Sequence, residues 1–172
     1  GVPLIRVEDG FLRSCGLGAN LIPPLSLVKD DLGIYYDPIR ENRLEHLITA
    51  AADLPFKRLD RAERLIDRIV ALGLSKYNLS LSALIPDTNG REVVLVPGQV
   101  EDDASILRGA SDIKTNLALL QAARARHPDA FMIYKPHPDV EAGLRAGMIP
   151  AAVLADMADF VATQTDPVAL LS

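Results

Sequence analysis

Three short clusters in this 172-residue chain combine residue types that can do chemistry: Glu8-Asp9-Gly10, Pro97-Gly98-Gln99 and Lys135-Pro136-His137-Pro138. Adjacent carboxylates such as Glu8 and Asp9 cannot both be desolvated cheaply. One of such a pair can serve as general base or nucleophile, and Gly10 would let backbone approach a substrate closely. On the tripeptide alone, a turn whose acids merely cap the next segment is the commoner meaning. In the late cluster two prolines stiffen the backbone around His137. Lys135 and His137 lie two apart, which on an extended chain places them on one face. A cationic pair on a rigid loop suits a phosphate; a proline-rich turn with a partly exposed histidine is the plainer alternative. Gln99 can contact a base or sugar edge.

Other polar groups carry less. Glu101-Asp102-Asp103 could bind magnesium, but Asp102 and Asp103 are better read as acids at the start of a helix near Ala104. Arg13 could hold an acidic substrate group, or equally a surface salt bridge. Gly16-Leu17-Gly18 is too short and poorly placed for a dinucleotide fingerprint. His46 and His127 sit on helices or at their ends with no partner in view, and scattered histidines make no metal site. Cys15 is the single cysteine, which excludes an intramolecular disulfide and a cysteine-based zinc site; it reads as a small buried side chain.

The clusters need elements to hold them. Residues 2–7 read as a buried strand ending at Glu8-Asp9-Gly10. Residues 25–28 and 34–36 read as a β-hairpin in which Gly33 supplies a positive φ. Asn42 and Glu45 form a capping box for a helix with Leu44, Leu47, Ile48 and Ala51 on its apolar stripe. A second helix spans about 59–72, stopped by Gly73. Residues 75–90 are polar and irregular, with Pro86 and the turn Asp87-Thr88-Asn89-Gly90, and mark a domain boundary. Beyond it, apolar runs at 93–96, 131–134 and 160–162 alternate with helices over about 111–126, capped by Ser111, and 151–157. That order predicts a parallel sheet covered on both faces. Open parallel sheets gather ligands at the carboxyl ends of their strands, where the clusters lie.

Composition narrows the class. Hydrophobic residues make up 49% and charged residues 24%, which excludes a wholly disordered chain. Eighteen Lys+Arg against 23 Asp+Glu give a net charge of −5, and there is no Trp, so a nucleic-acid partner is not expected. No apolar stretch is long enough to span a bilayer, and no signal peptide is expected. Gly1 at the start and a helix just beginning at the end read as a fragment of a longer protein.

Residues 7–19 (VEDGFLRSCGLGA), 24–37 (PLSLVKDDLGIYYD), 75–78 (SKYN), 94–106 (VLVPGQVEDDASI) and 133–147 (IYKPHPDVEAGLRAG) resemble, in order through nearly the whole chain, bacterial capsule polysaccharide biosynthesis proteins of the KpsC/LipB type. That family resembles bacterial sialyltransferases in its acidic-acidic-Gly and His-Pro motifs, here Glu8-Asp9-Gly10 and His137-Pro138. The resemblance implies an α/β fold with two Rossmann-like halves of a GT-B-type glycosyltransferase, truncated at both ends. Residues 1–86 would be the later part of a first, acceptor-side domain and 87–172 the early part of a second, CMP-donor-binding domain. It implies transfer of Kdo, an eight-carbon acidic sugar, from CMP-Kdo with retention, onto a phosphatidylglycerol-type lipid acceptor at the capsule linker. Either acid could be the nucleophile; Asp9 is taken for that role and Glu8 as the acid/base or positioning partner, facing the His137 side across a cleft. His137, Lys135, Pro138, Gly98 and Gln99 would serve the CMP side, with Gly10 lining the site and Arg13 on the Kdo carboxylate. The resemblance implies no cofactor or metal, capsule biosynthesis and export machinery as partners, and a cytoplasmic place peripheral to the inner membrane. Because family members continue past residue 172, the 172 residues alone are expected to be weakly active or inactive. Two rivals stand beside this: a non-catalytic nucleotide-sugar or lipid-docking module, and a transferase for another CMP-activated acidic sugar such as sialic acid.

Overall fold

The computed structural model describes residues 2–79 and 85–171. Two compact units divide the chain, Gly1–Asn78 and Leu79–Ser172. Residues 80–84 of the stretch expected to hold the boundary lie outside the described residues.

In the first unit, β1 (Arg6–Asp9) pairs antiparallel with β2 (Leu27–Asp30), Arg6 opposite Asp30 and Asp9 opposite Leu27. The expected buried strand over 2–7 is therefore displaced and is not buried: Val2, Leu4, Ile5 and Val7 are exposed. The ladder cannot extend back toward Val2 because β2 ends at Asp30, whose buried carboxylate turns the chain. Its Oδ1 accepts from Leu32 N (2.9 Å) and Gly33 N (2.8 Å), and its Oδ2 from Arg43 N (2.8 Å). This turn also replaces the expected hairpin. Leu27–Asp30 pairs with β1, residues 34–36 form no strand, and Gly33 is not among the glycines of positive φ. Gly33 is needed for space, since a Cβ would lie 2.5 Å from the Glu41 carbonyl oxygen.

The helices follow their end signals. Helix α1 (Arg43–Ala50) begins in the capping box, with Glu45 N donating to Asn42 Oδ1 (3.0 Å) and Asn42 N to Glu45 Oε2 (3.2 Å). Helix α2 (Phe56–Ala71) starts three residues earlier than the sequence suggests and ends at Gly73, where φ is +57°. Neither helix buries a residue, so the apolar stripes read from the sequence face outward in this unit.

The second unit holds the parallel sheet. Strands β3 (Val93–Pro97), β4 (Phe131–Lys135) and β5 (Phe160–Val161) lie in that order, with Pro97 opposite Lys135 and Tyr134 opposite Val161. Every residue of β4 is buried, as befits a central strand. On one face Val96, Met132, Tyr134 and Leu120 form the core with apolar residues of α4 (Asn116–Arg126) and α6 (Ala151–Met157). On the other, Phe131, Ile133 and Ala162 meet Leu95, Phe160 and Leu170. Helix α3 (Ala104–Gly109) starts where expected, capped by Asp103, which accepts from Ser105 N (2.8 Å). Ser111 is not the cap of α4. Thr115 is, accepting from Ala118 N at 3.2 Å, because Ser111 lies in a bend before the helix.

Candidate functional site

The first cluster lies at the end of β1. Glu8 and Asp9 are neighbours on a strand, so their side chains leave opposite faces. Glu8 turns back on the backbone and accepts from Asp9 N through Oε1 (2.9 Å). Asp9 receives Arg13 Nε on Oδ2, four residues on, and its side chain keeps 31% of its exposure. Arg13 also donates from Nη1 to Ser14 Oγ (2.8 Å), and its side chain is only 7% exposed. The guanidinium is thus spent on Asp9 and Ser14. Gly10 is buried and donates to Ser26 O (2.8 Å); a Cβ there would fall 1.9 Å from Ser26 Oγ, so glycine is required by the neighbouring strand end. Cys15 is exposed, not buried, because the loop turns it away from the side that holds Arg13 and Ser14.

Sequence reading missed what fixes this loop. Arg13 N and Ser14 N donate to Lys76 O (2.9 and 3.3 Å), Gly16 N donates to Tyr77 O (2.7 Å), and Asn78 Nδ2 donates to Ser14 O (3.0 Å). Leu25 N donates to Arg13 O (2.7 Å) and Ser26 Oγ to Leu12 O (2.6 Å). The signal was the polar run Ser75-Lys76-Tyr77-Asn78, which carries no apolar period and is marked in the sequence only by the resemblance, with no structural role attached.

The other two clusters share one edge of the parallel sheet. The pairing of Pro97 with Lys135 brings Gly98-Gln99 and Pro136-His137 to adjacent strand ends, and Gly98 N donates to Lys135 O (2.7 Å). Gly98 is buried, and glycine is needed there because a Cβ would sit 2.7 Å from the Tyr134 hydroxyl and 3.2 Å from Lys135 O. Gln99 is exposed, its backbone clamped by Asn116, whose Oδ1 accepts from Gln99 N and whose Nδ2 donates to Gln99 O and Gly147 O, all at 2.8 Å. Asn116 is a further residue that the sequence reading missed.

His137 and Lys135 take different environments. His137 is half-buried at the start of α5 (Pro138–Glu141), and its Nδ1 accepts from Asp139 N (3.2 Å). A neutral ring in that bond carries its proton on Nε2, as a donor. Pro138 opens the helix where its missing N–H costs nothing. Lys135 is buried, with Nζ donating to Pro136 O (2.9 Å) and 4.0 Å from Glu141 Oε2. Burial pulls its pKa down, while Glu141 and Asp166 oppose that. Its ammonium therefore braces the His137 loop from below. His46 and His127 each meet an acid, Glu41 Oε2 at 3.2 Å and Glu92 Oε2 at 3.3 Å. Among the described residues no group of three or more His, Cys, Asp or Glu is arranged to hold a metal ion.

Comparison with known proteins decides the family. The model of the capsule polysaccharide biosynthesis protein family matches residues 1–165. This chain belongs to that family. Within it, the chain is of the KpsC/LipB-like kind. It is 46% identical over 165 residues to the capsule polysaccharide modification protein LipA of Neisseria meningitidis serogroup B, covering 96% of this chain and 23% of that protein. It is 48% identical over 149 residues to the lipopolysaccharide-processing protein LpsZ of Rhizobium meliloti, covering 84% of this chain and 33% of LpsZ. Among solved structures, the β-Kdo 2,4 transferase of Thermosulfurimonas dismutans KpsC superposes with a TM-score of 0.83 at 35% identity, over 99% of this chain and 53% of that one. The β-Kdo 2,7 transferase of the same KpsC gives 0.72 at 35% identity, over 95% and 46%. The chain thus spans a quarter to a third of the curated relatives and about half of the solved chains. These structural neighbours of the chain are Kdo transferases, and its α/β architecture resembles theirs.

Proposed function

We propose that this chain is part of a retaining Kdo transferase of capsule linker biosynthesis, using CMP-Kdo and a lipid-linked acceptor. The observation that carries this reading is its likeness to a β-Kdo transferase along 99% of its length. The local geometry supports the roles. Asp9 is a part-exposed carboxylate at a strand end, steadied by Arg13. In the proposed first step an Asp9 oxygen bonds to the anomeric carbon of Kdo while the bond from that carbon to the CMP phosphate oxygen breaks. The electron pair leaves with CMP, and His137 Nε2–H and the adjoining rim stabilise its phosphate charge. In the second step the acceptor hydroxyl attacks the same carbon, its proton passes to a base, and Asp9 departs; Glu8, on the opposite face of β1 and bonded to Asp9 N, takes the positioning role. Two inversions give retention.

Gly98, Gln99 and Pro138 are assigned to the CMP side, since they share the rim with His137; Lys135 supports that rim rather than reaching the phosphate. In this proposal the first unit belongs to the acceptor-side domain and the second to the donor-binding domain of a GT-B transferase working at the inner face of the inner membrane beside the capsule machinery. The test is donor-dependent product formation by the full-length protein. Asp9→Asn and His137→Ala, each with an unchanged melting temperature, are expected to lower turnover about 100-fold or more. Undiminished transfer by either overturns the role given to that residue. Consumption of CMP-sialic acid in place of CMP-Kdo overturns the donor. CMP binding without transfer by the wild type leaves a docking module.

A further inference from the structure

We infer that Asn116 is a positioning residue of the donor rim, locking the backbone of Gly98-Gln99 so that Gln99 meets the donor with its side chain alone. The inference rests on the reading that this rim takes the activated sugar, and it names what shapes the rim. Backbone N–H groups left free at a strand end can cradle a phosphate. Here they are spent. Gly98 N donates to Lys135 O (2.7 Å), Gln99 N to Asn116 Oδ1 (2.8 Å) and Glu101 N to Ala146 O (3.2 Å). The Gln99 carbonyl is spent too, accepting from Asn116 Nδ2 (2.8 Å). Gly98 and Val100 are buried on either side of the exposed Gln99, so of these three residues only Gln99 presents a side chain to solvent.

The side chain of Asn116 makes the lock. It is buried, at the first position of α4, and its amide binds Gln99 as a neighbouring strand would, accepting from the N–H and donating to the carbonyl of one residue. The second Nδ2 hydrogen goes to Gly147 O (2.8 Å). The backbone N–H of Asn116, a helix-start donor with no intrahelical partner, goes to Glu101 Oε1 (2.7 Å). Four bonds thus join the loop after β3, the start of α4 and the segment that follows α5. Glycine at 147 keeps the lock closed: its φ is +126°, and a Cβ would lie 2.6 Å from Asn116 Nδ2 and 2.9 Å from Gln99 O. With both backbone groups of Gln99 fixed, the root of its side chain is set before the donor arrives, which lowers the ordering cost of binding.

The experiment is steady-state kinetics of the full-length protein with CMP-Kdo as the varied donor, for Gln99→Ala, Asn116→Ala and the double variant. His137→Ala is the control for the rim, and melting temperatures are read alongside. Gln99→Ala is expected to lower kcat/KM for the donor about tenfold, the loss of one hydrogen bond to the ligand. Asn116→Ala should lower it by about the same factor while Gln99 is present, and by no more than about twofold once residue 99 is alanine. A merely structural asparagine would not give that non-additivity, since a general loosening costs the same in both backgrounds. Losses that multiply to about 100-fold in the double variant would overturn the inference. Normal kinetics in Asn116→Ala, or a loss in Asn116→Ala with none in Gln99→Ala, would overturn it equally. If Asn116→Ala does not fold, Glu101→Ala, which removes the bond to Asn116 N, takes its place in the cycle with an expected loss of about threefold. A loss there that is absent, or equal in both backgrounds, then overturns the inference. A loss in His137→Ala with normal kinetics in the Gln99 and Asn116 variants sinks the inference alone. Full transfer by both His137→Ala and Gln99→Ala sinks the rim as donor site and the inference with it.

Discussion

At the scale of single residues, polar atoms in apolar surroundings are the most sensitive reporters of the second unit. Tyr134 is 2% exposed, and among the described residues its hydroxyl meets no hydrogen-bond partner. Burial, with a smaller push from Glu101, raises its pKa to about 12. The unfolded chain ionises the same phenol near pH 10. A raised folded pKa contributes stability that is complete below the unfolded value and is lost as pH climbs through the folded one. The full-length protein should therefore lose stability between about pH 10 and 12, and Tyr134→Phe should lack that part of the loss. At neutral pH the same substitution removes an unsatisfied buried hydroxyl and keeps the ring, so it should be neutral or stabilising by about 1 kcal/mol. Chemical denaturation of both proteins at pH 7 and across the alkaline range measures this. A clear destabilisation at pH 7 would mean the hydroxyl has a partner in the working protein.

At the scale of elements, the sheet of the second unit is tied by one carboxylate. Asp159, just before β5, accepts from Met132 N on β4 (2.8 Å), from Arg124 Nη2 on α4 (2.7 Å) and from Arg91 Nη2 before β3 (2.8 Å). The Met132 amide, then Arg124 and Arg91, hold its pKa well below the usual carboxylate range against the cost of burial. A depressed folded pKa contributes stability above the unfolded value, near pH 4, that fades as pH falls toward the folded one. Asp159→Asn should lower the melting temperature at pH 7 by roughly 4–8 °C, with the gap to wild type closing in acid. A gap that persists unchanged at low pH would show that the charge is not what holds these elements. The parallel strands were legible because apolar runs are local signals. Asp159, Asn116 and the Arg13 loop were not, because each is fixed by bonds across 12 or more positions in the chain, through single polar atoms that leave no period. The hairpin was misread for a related reason: Asp30 spends its carboxylate on three backbone amides, a competition with strand pairing that alternation of side chains does not reveal.

At the scale of the whole molecule, the two units contrast in what they bury. Among the described residues, Ile34 is the single apolar residue of the first unit in the buried core, beside the polar Arg13, Ser14, Asp30 and Asn42, whereas the second unit buries the whole of β4 with Leu120, Val140 and Ile149. Helix α2 carries Phe56, Leu59, Leu65, Ile66 and Val70 exposed, and α1 carries Leu47 and Ile48 exposed. Most helical stability in proteins comes from packing an apolar face, so a helix that buries nothing opens at little cost. In a polypeptide of these 172 residues, hydrogen exchange should therefore rank the elements. The amides of Phe131–Lys135 should be the slowest, and those of Phe56–Ala71 should exchange about 100-fold faster or more. The same polypeptide should bind a hydrophobic dye through the α1 and α2 faces, and Leu65→Glu with Ile66→Lys should reduce that signal without moving the protection of β4. Equal protection of α2 and β4 would refute this ranking, since it would require the exposed face of α2 to be buried in solution, and a concentration-dependent rise in that protection would identify a second copy of the chain as what buries it.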